Sequence, residues 1–360
     1  MNAAPIFSII INNCNYGRFL AEAIESCLAQ DYGNVETIVV DDGSTDDSRA
    51  VIARFGERVR SVLKANGGQA SAFNAGFAAS RGQYVLFLDA DDRLRADAVR
   101  RFVGGFADAQ AAKVQSRMRL IDAGGSALGA EEPAGHLPGG DWKQKLLRLG
   151  PSAYPSTPSS ASAYTRGFVA QVFPMPEAGY RVAADSYLKN IAPLFGTVVS
   201  LQEPLVDYRL HGANTSHWGW RDDPRGRLAR DTAHYELACE QTARWANHLG
   251  HACAARQWIE GRWQHLARKH ALFRLGAGAE YRVPWKACAR AALESARWKR
   301  PLILAACALV WLAPAKVACA LAIWLFRKKK IGEGLNAARG CGSLSAAPPS
   351  RPEPAGSATR

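Results

Sequence analysis

The sequence has no pair of cysteines spaced as C-x-x-C, although it contains eight cysteines in 360 residues. Several of them lie among Ala, Leu and Trp, where a free thiol packs as a small hydrophobic group. We therefore expect reduced, structural cysteines in a cytosolic protein. We also expect no secretory leader, because residues 1–5 lack a basic region and the apolar run of residues 7–11 is too short.

Motifs that bind nucleic acid are also missing: there is no zinc-finger spacing, RNP-like motif or basic strip interleaved with aromatic residues. The chain is nevertheless basic, with 45 Lys and Arg against 32 Asp and Glu and a formal net charge of +13. This excess indicates a different anionic partner, such as nucleotide phosphate or acidic lipid. We therefore expect no nucleic-acid partner.

Short apolar runs alternate with helical patterns in the first part of the chain. Residues 6–11, 35–40, 60–63 and 84–88 are predicted to be buried strands, and helices are predicted between them, the last over residues 70–79. Such alternation predicts an α/β fold with a mostly parallel central sheet that is covered on both faces. The sequence contains no internal repeat that would suggest another architecture.

Two acidic clusters directly follow predicted strands, and ligands of such sheets bind beyond the carboxyl ends of the strands. Asp41 and Asp42 end the second strand, and Asp89, Asp91 and Asp92 end the fourth. Carboxylates two residues apart can present oxygens to one Mg²⁺, which a diphosphate leaving group requires. A solvated acidic turn or a capped helix start would use the same residues. The residues alone leave these interpretations open.

The two blocks that carry these clusters are SIIINNCNYGRFLAEAIESCLAQDYGNVETIVVDDGSTDDS and KANGGQASAFNAGFAASRGQYVLFLDADD. In order and spacing they resemble the family 2 glycosyltransferases of the GT-A fold, and the resemblance covers residues 6 to about 216. It implies metal-dependent, inverting transfer of a sugar from a nucleoside-diphosphate sugar, most commonly a UDP-sugar, to an acceptor hydroxyl. It also implies a role in cell-surface polysaccharide or glycolipid synthesis.

By the same resemblance, residues at several strand ends hold the donor. The implied nucleotide-sugar ligands are Asn13, Asn15, Tyr16, Asp41, Asp42, Lys64, Gly68, Asn74, Asp89 and Arg209. The Asp-x-Asp motif of Asp89 and Asp91 is expected to bind Mg²⁺ or Mn²⁺. In the closing segment EPLVDYRLHGANTS, His211 is expected to ligate the metal or contact the phosphate. Alternatively, His211 is a hydrogen-bonded structural histidine, and Arg209 lies at a strand edge.

The resemblance places a general base in the stretch YRVAADSYLKNIAPLFG. Members of the family commonly carry Glu-Asp at a helix start there; Asp185 matches the Asp, whereas Ala184 replaces the Glu. Asp185 is therefore expected to remove the acceptor proton as the acceptor oxygen attacks the anomeric carbon. A helix cap or an ion pair is the alternative role for Asp185, and any second contact from position 184 is in doubt.

The chain divides into five predicted segments. Residues 1–115 form the nucleotide-sugar-binding half of the GT-A domain, and residues 116–220 form the acceptor-binding half. Residues 221–300 are a helical extension, and residues 301–330 are an apolar, membrane-associated segment with a basic flank. Residues 331–360 are rich in Ala, Pro and Ser and are expected to be disordered.

The apolar segment from Pro301 to Phe326 is about long enough for one membrane span, but Pro314 and Lys316 interrupt it. Basic residues on both sides favour a re-entrant or interfacial hairpin with both ends in the cytosol. This predicts a protein at the cytoplasmic face of a membrane, acting on a sugar or a lipid-linked acceptor. A buried helical hairpin with Lys316 at its turn is the soluble alternative.

Other classes of protein explain parts of the pattern. A nucleotidyltransferase also uses paired aspartates with Mg²⁺, but it needs a Gly-rich basic loop after the first strand, where this chain has Asn and Tyr. A dinucleotide oxidoreductase needs G-x-G-x-x-G there, and a receiver domain has its aspartate pair after its first strand. A non-catalytic nucleotide-sugar-binding scaffold is supported only by Ala184.

Overall fold

A computed structural model of the chain describes residues 4–212, 214, 223–294 and 300–326. The strands are β1 (Phe7–Asn13), β2 (Val35–Asp42), β3 (Arg60–Lys64), β4 (Tyr84–Asp89), β5 (Arg93–Leu94), β6 (Ala111–Ile121), β7 (Ala127–Glu132), β8 (Ser162–Thr165) and β9 (Thr197–Arg209). The helices are α1 (Gly17–Leu28), α2 (Ser48–Ala53), α3 (Gln69–Ala79), α4 (Ala98–Gly105), α5 (Lys143–Leu149), α6 (Arg166–Val172), α7 (Asp185–Phe195), α8 (Pro224–His248), α9 (Ala255–Gly261), α10 (Trp263–Arg274), α11 (Trp285–Leu293), α12 (Arg300–Leu312) and α13 (Ala315–Phe326).

The sheet has two parts that differ in strand direction. Strands β3, β2, β1 and β4 lie side by side in that order and run parallel, as alternating strand–helix units require. Beyond β4, strand β8 is antiparallel to both β4 and β6, while β9 is parallel to β6. Strand β5 pairs antiparallel with β9, and β7 with β6. The prediction of a mostly parallel sheet is correct for the first part only, because the antiparallel pairings of β5, β7 and β8 make the whole sheet mixed.

Apolar side chains cover both faces of the sheet, because successive strand residues point to opposite sides. Ile9 and Ile11 lie in the core beneath α1 and α4, whereas Ile10 and Phe87 lie in the core beneath α3 and α7. Gly76 lets α3 approach β1 closely: a Cβ at this position would lie 2.2 Å from Ile10 Cγ2. These two cores fix the strands whose carboxyl ends carry the acidic clusters.

The helices after β9 contribute to more than one apolar core. Helix α8 packs against α7, and its Ala246 belongs to the core beneath α3 and α7. Helices α10 to α12 share a separate small core, which includes Leu266, Ala271, Cys288 and Val310. This core joins the predicted helical extension to the predicted apolar segment.

The apolar segment forms two helices, α12 and α13, that pack against each other and against α10. The break falls at Pro314, and the exposed Lys316 lies just after it. Within the described residues, no helix has both the length and the apolar character that crossing a membrane requires. The predicted basic flank at residues 327–330 and the predicted disordered tail at residues 331–360 lie outside the described part of the chain.

A candidate active site at the carboxyl edge of the sheet

The loops that follow β1 and β2 are tied together at the carboxyl edge of the sheet. Asn13 Nδ2 donates to Asp41 Oδ1 at 3.0 Å and to Ser44 Oγ at 3.1 Å. Asn15 has a φ of 60°, and its Oδ1 accepts from the backbone N–H of Thr45 at 2.7 Å. Asn adopts this left-handed conformation more readily than most residues, because its short polar side chain bonds locally. The Asn-rich turn is therefore a rigid connection between two strand ends.

The two oxygens of the buried Asp41 are both engaged, since Arg49 Nε donates to the second one at 3.0 Å. Asn13 is also buried, and its Oδ1 has no hydrogen-bond donor among the described residues. A buried amide oxygen without a donor is unfavourable. An N–H or O–H group of a ligand would satisfy it.

Asp42 organises the loop between β3 and α3. Its carboxylate accepts from Lys64 Nζ at 2.7 Å and from the backbone N–H groups of Gly67 and Gly68 at 2.9 and 2.7 Å. Gly68 has a φ of 89°, and a Cβ there would lie 2.7 Å from Arg181 Cα. The predicted ligands Asp42, Lys64 and Gly68 are thus brought together, and they form the support of one loop.

The Asp-x-Asp motif lies in the turn after β4, where the N–H of Asp92 donates to the carbonyl of Asp89 at 3.0 Å. One carboxylate oxygen each from Asp89, Asp91 and Asp92 lies within 4.8 Å of the others. Burial and the neighbouring Asp91 raise the pKa of Asp89 to about 7. Burial, followed by Asp91 and Asp89, raises the pKa of Asp92 well above its ordinary value. Three carboxylates this close repel one another, and a cation would relieve that repulsion.

His211 reaches this cluster from the end of β9. Its Nε2 lies 2.9 Å from Asp91 Oδ2, and its side chain is only 1% exposed. The ring is held by Phe19, at a centroid distance of 4.9 Å, and by the edge-on ring of Tyr16, at 5.8 Å. The predicted metal ligands Asp89, Asp91 and His211 are therefore brought together, and Tyr16 takes part through His211.

Asp185 is the first residue of α7. Its Oδ2 accepts from Lys189 Nζ at 2.9 Å, and its side chain is 16% exposed. Burial is the largest single influence and acts to raise the pKa of Asp185. The charge and hydrogen bond of Lys189, together with His234 and Lys113, outweigh it, so the pKa lies below its ordinary value. The Asp185 charge in turn contributes to the raised pKa of Asp89. The predicted base and the acidic cluster therefore share one electrostatic environment.

A histidine from the helical extension also approaches the start of α7. His234 of α8 has its Nε2 2.6 Å from Ser186 Oγ, and its ring lies edge-on to Tyr180 at 5.7 Å. Burial lowers the pKa of His234, while the charge of Asp185 acts in the opposite direction. The neutral ring is thus favoured, and the extension contributes a side chain beside the predicted base.

Two predicted donor ligands lie in the supporting framework. Arg209 is 1% exposed, and its guanidinium donates to Asp91 O at 2.8 Å and to Glu22 Oε2 at 2.6 Å. Asn74 exchanges hydrogen bonds with the backbone of Met175, at 3.0 Å to its carbonyl and 2.9 Å from its N–H. Arg209 therefore stabilises the main chain of the Asp-x-Asp motif, and Asn74 stabilises the segment before α7. A direct donor contact by either residue stays a prediction.

Sequence reasoning missed several residues that contact the acidic cluster. Asn12 Nδ2 donates to Asp89 Oδ1 at 2.9 Å, and Gln69 Nε2 donates to the same oxygen at 3.1 Å. Asn12 could have been found from its place at the end of β1, next to β4 in a parallel sheet. Gln69 and His234 carry no comparable signal, because their contacts arise only after distant segments pack together.

The donor set suits a hard divalent cation. Carboxylate oxygens are preferred by Mg²⁺ and Mn²⁺, and an imidazole nitrogen is available from His211. The acidic side chains lie at the carboxyl edge of an α/β sheet, which is the edge at which the ligands of such folds bind.

The family model described as "Glycosyl transferase family 2" matches residues 8–168, so this part of the chain is similar to members of that family. An uncharacterised glycosyltransferase of Nostoc sp. is 38% identical over 211 residues, which are 58% of this chain and 65% of that protein. Glycosyltransferase GlyG of Streptococcus pneumoniae is 39% identical over 93 residues, covering 25% and 31% of the two chains. The chain thus spans less than two thirds of the length of these curated relatives.

Solved structures share the fold. TarS residues 1–349 of S. aureus, in complex with UDP-GlcNAc, align with a TM-score of 0.53 at 13% identity, over 89% of this chain and 92% of that one. Mannosyltransferase PcManGT of Pyrobaculum calidifontis, in complex with GDP-Man and Mn²⁺, aligns with a TM-score of 0.50 at 19% identity, over 91% and 89%. At such identities the similarity concerns the fold.

Proposed function

We propose that the protein is a metal-dependent glycosyltransferase that moves a sugar from a nucleoside-diphosphate sugar to an acceptor hydroxyl, with inversion at the anomeric carbon. The observation that carries this proposal is the meeting of Asp89, Asp91, Asp92 and His211 at one end of the sheet, in the same electrostatic environment as Asp185. Two proteins of the same fold were solved with UDP-GlcNAc and with GDP-Man and Mn²⁺, which supports a nucleotide-sugar donor. We favour a UDP-sugar.

The loops after β1, β2 and β3 would hold the nucleoside. Asn13 offers a buried carbonyl oxygen that lacks a donor among the described residues, and an imide N–H or a ribose hydroxyl would supply one. The hydrogen bonds that Asp41 and Asp42 accept from their surroundings keep these loops in place before the ligand arrives. Such preorganisation lowers the entropy cost of binding.

Asp89, Asp91 and His211 would hold Mg²⁺ or Mn²⁺, which when bound stabilises the negative charge of a departing diphosphate. Asp92 would contribute a further carboxylate at the buried side of the cluster. Arg209 fixes the main chain of Asp91 through its carbonyl. Loss of these residues should therefore weaken donor binding and turnover together.

Asp185 would act as the general base. Its lowered pKa keeps the carboxylate ionised at neutral pH, so that an oxygen is available to accept the proton of the acceptor hydroxyl. Lys189 holds the carboxylate from one side at 2.9 Å. The acceptor would be a sugar or a lipid-linked molecule that approaches along α7.

We also propose that α12 and its surroundings rest on the cytoplasmic face of an anionic membrane, in support of cell-surface polysaccharide or glycolipid synthesis. Leu302, Leu309 and Leu312 are 70%, 53% and 84% exposed. Exposed leucines next to basic residues such as Lys316 suit an interfacial lipid contact. The net charge of +13 favours the same partner.

A panel of nucleoside-diphosphate sugars, each with Mg²⁺ or Mn²⁺, tests the proposed activity through release of the nucleoside diphosphate. We expect release with one donor, loss of release in chelator, and a loss of about a hundredfold or more in Asp91→Asn. Asp141→Asn is the matched control, because Asp141 is exposed and, among the described residues, its Oδ1 accepts only from the N–H of Lys143. Binding of a nucleotide without any release or transfer would favour a non-catalytic scaffold.

Flotation with vesicles of phosphatidylglycerol and phosphatidylcholine tests the membrane proposal. We expect the protein to float with these vesicles and Leu312→Asp to float much less, because a charge is costly at an apolar lipid contact. Leu149→Asp is the control, since Leu149 is 48% exposed on α5. Equal flotation of the two variants would contradict the assignment of the membrane contact to α12.

A further inference from the structure

Gln69 occupies a junction between the two chemical parts of the site. It is the first residue of α3, and its side-chain Nε2 donates to Asp89 Oδ1 at 3.1 Å. The other end of the same amide accepts, at 2.9 Å, from the backbone N–H of Ala184, the residue that precedes Asp185. One planar group thus touches both a carboxylate of the acidic cluster and the start of the helix that carries the predicted base.

The orientation of the Gln69 amide is fixed by the chemistry of its partners. A carboxylate oxygen accepts hydrogen bonds, whereas a backbone N–H only donates. The nitrogen of Gln69 must therefore face Asp89, and its oxygen must face Ala184. With the amide reversed, its oxygen would face the Asp89 carboxylate and its NH₂ group would face the N–H of Ala184. Neither contact could then be a hydrogen bond.

The backbone around Gln69 strengthens this connection. The N–H of Gln69 donates to the carbonyl of Arg181 at 2.9 Å, and the N–H of Ala70 donates to the carbonyl of Tyr180 at 3.1 Å. The segment before α7 is thus strapped along the start of α3. Ala183, with a φ of 58°, is in a conformation that L residues other than Asn and Asp seldom adopt, so the neighbouring N–H of Ala184 depends on its partner to stay in place.

We propose that Gln69 is a positioning residue that couples occupation of the donor and metal site to the placement of Asp185. A ligand that draws the Asp89 carboxylate toward itself moves the bonded amide, and the N–H of Ala184 moves with it. Asn12 also donates to Asp89 Oδ1, at 2.9 Å, but its other side-chain hydrogen bond within the described residues goes to the carbonyl of Leu88 and not to α7. Only Gln69 among the hydrogen-bonding partners described for Asp89 therefore extends to the start of α7. This inference rests on the proposed function.

Hydrogen–deuterium exchange of the segment 182–188, with and without Mn²⁺ and UDP, tests the coupling; a parallel arm uses Mn²⁺ and GDP. In the wild type we expect the nucleotide and Mn²⁺ to slow exchange in this segment. Gln69→Ala removes both amide bonds, so exchange should be faster without ligand and should no longer respond to it. Gln69→Glu keeps an oxygen for Ala184 but no hydrogen for Asp89, so its exchange without ligand should stay near the wild-type rate while the response to ligand is lost.

Kinetics provide the second measurement. We expect Gln69→Ala to lower kcat about tenfold, as the loss of one or two hydrogen bonds entails, while the KM for the donor changes much less. Gln171→Ala is the matched control, because within the described part of the chain the Gln171 amide donates only to the carbonyl of Gly167 on its own helix. It should leave both kcat and exchange in segment 182–188 unchanged.

The outcomes separate this inference from the proposed function. If calorimetry shows that neither nucleotide binds the wild type with Mn²⁺, the proposed donor site is wrong and the coupling falls with it. If a nucleotide binds and protects segment 182–188 equally in wild type and Gln69→Ala, the donor site stands and the coupling is wrong. Loss of protection with retained nucleotide binding supports the coupling.

Discussion

The two halves of the site are built in different ways. In the proposed donor half, the loops at the ends of β1, β2 and β3 are held by hydrogen bonds between neighbouring strand ends, such as Asn13 to Asp41 and Lys64 to Asp42. In the proposed acceptor half, Asp185 is surrounded by groups from separate elements, including His234 of α8. The proposed donor loops are thus encoded in short motifs, whereas the environment of the proposed base depends on how the helices pack.

The strongest test of this contrast is Asp185→Asn. The amide cannot accept a proton at neutral pH, so turnover should fall by about 10²–10⁴, while affinity for the nucleotide with Mn²⁺, measured by calorimetry, should stay near the wild-type value. Asp231→Asn on α8 is the control, since Asp231 also pairs with a basic residue four positions away, at 3.1 Å. A large drop in nucleotide affinity in Asp185→Asn would show that the two halves are not separable in this way.

Replacing one buried leucine by alanine in each of two cores compares these regions by their free energy of unfolding. Leu86 lies at 0% exposure in the sheet core, and Leu266 lies at 5% in the separate core of α10 to α12. Each Leu→Ala change should lower the free energy of unfolding by about 2–5 kcal/mol. Unfolding and nucleotide binding are both measured as denaturant is added to each variant. We expect Leu86→Ala, but not Leu266→Ala, to lose nucleotide binding before global unfolding. Parallel loss of binding in Leu266→Ala would contradict the independence of the two cores.

Gly68→Ala probes the donor loop alone. A Cβ at this φ of 89° would be strained, and it would meet Arg181 Cα at 2.7 Å, which together displace the loop held by Asp42. We expect affinity for the nucleotide to fall roughly tenfold, in line with the cost of one strained backbone position. Gly33→Ala is the control, because a Cβ there would meet no atom within 4 Å. Unchanged affinity in Gly68→Ala would mean that the loop can shift without consequence for the ligand.

The smallest predicted effect is a pH dependence in the helical extension. Burial, and then Arg274, lowers the pKa of His270 to about 4, and its ring stacks on Trp311 at 3.9 Å. The unfolded chain protonates this histidine near pH 6.5, so its contribution to stability is complete above about pH 6.5 and is lost as the pH falls toward 4.

The variant His270→Phe keeps an aromatic ring against Trp311 but cannot titrate. The midpoint of thermal unfolding should therefore fall less in this variant than in the wild type between about pH 7 and pH 4.5. Donor affinity, measured at the same pH values, should show no difference between the two proteins. Identical thermal profiles would remove His270 as a source of the acid sensitivity.

The same contrast explains which strands and site residues could be predicted from the sequence. The parallel strands β1 to β4 were predictable, because apolar runs ending in turn residues recur in order. Asp89, Asp91 and Asp185 were indicated by motif resemblance, and the structure places them in one electrostatic environment. The antiparallel strand β8 was not predicted, since only its partners β4 and β6 give it a place in the sheet.

Contacts between distant segments account for what the sequence did not indicate. Gln69 begins an ordinary helix, and nothing in the local sequence distinguishes it until Ala184 packs against it. Arg209 was expected at the phosphates because an arginine suits them, yet burial beside Glu22 and the main chain of Asp91 gives it a framework role. Such residues are identified by their neighbours in three dimensions.

The bond between His211 and Asp91 joins residues 120 positions apart, and it has a consequence for synthesis of the chain. A ribosome must deliver all of β9 before the imidazole can reach the acidic turn, although the strands that carry the nucleotide loops have emerged long before. A nascent or prematurely terminated product therefore has the loops of the proposed donor site without His211 beside the acidic turn. Emergence of β9 and His211 from the ribosome, not folding of the first strands, sets the moment at which the cluster can be assembled.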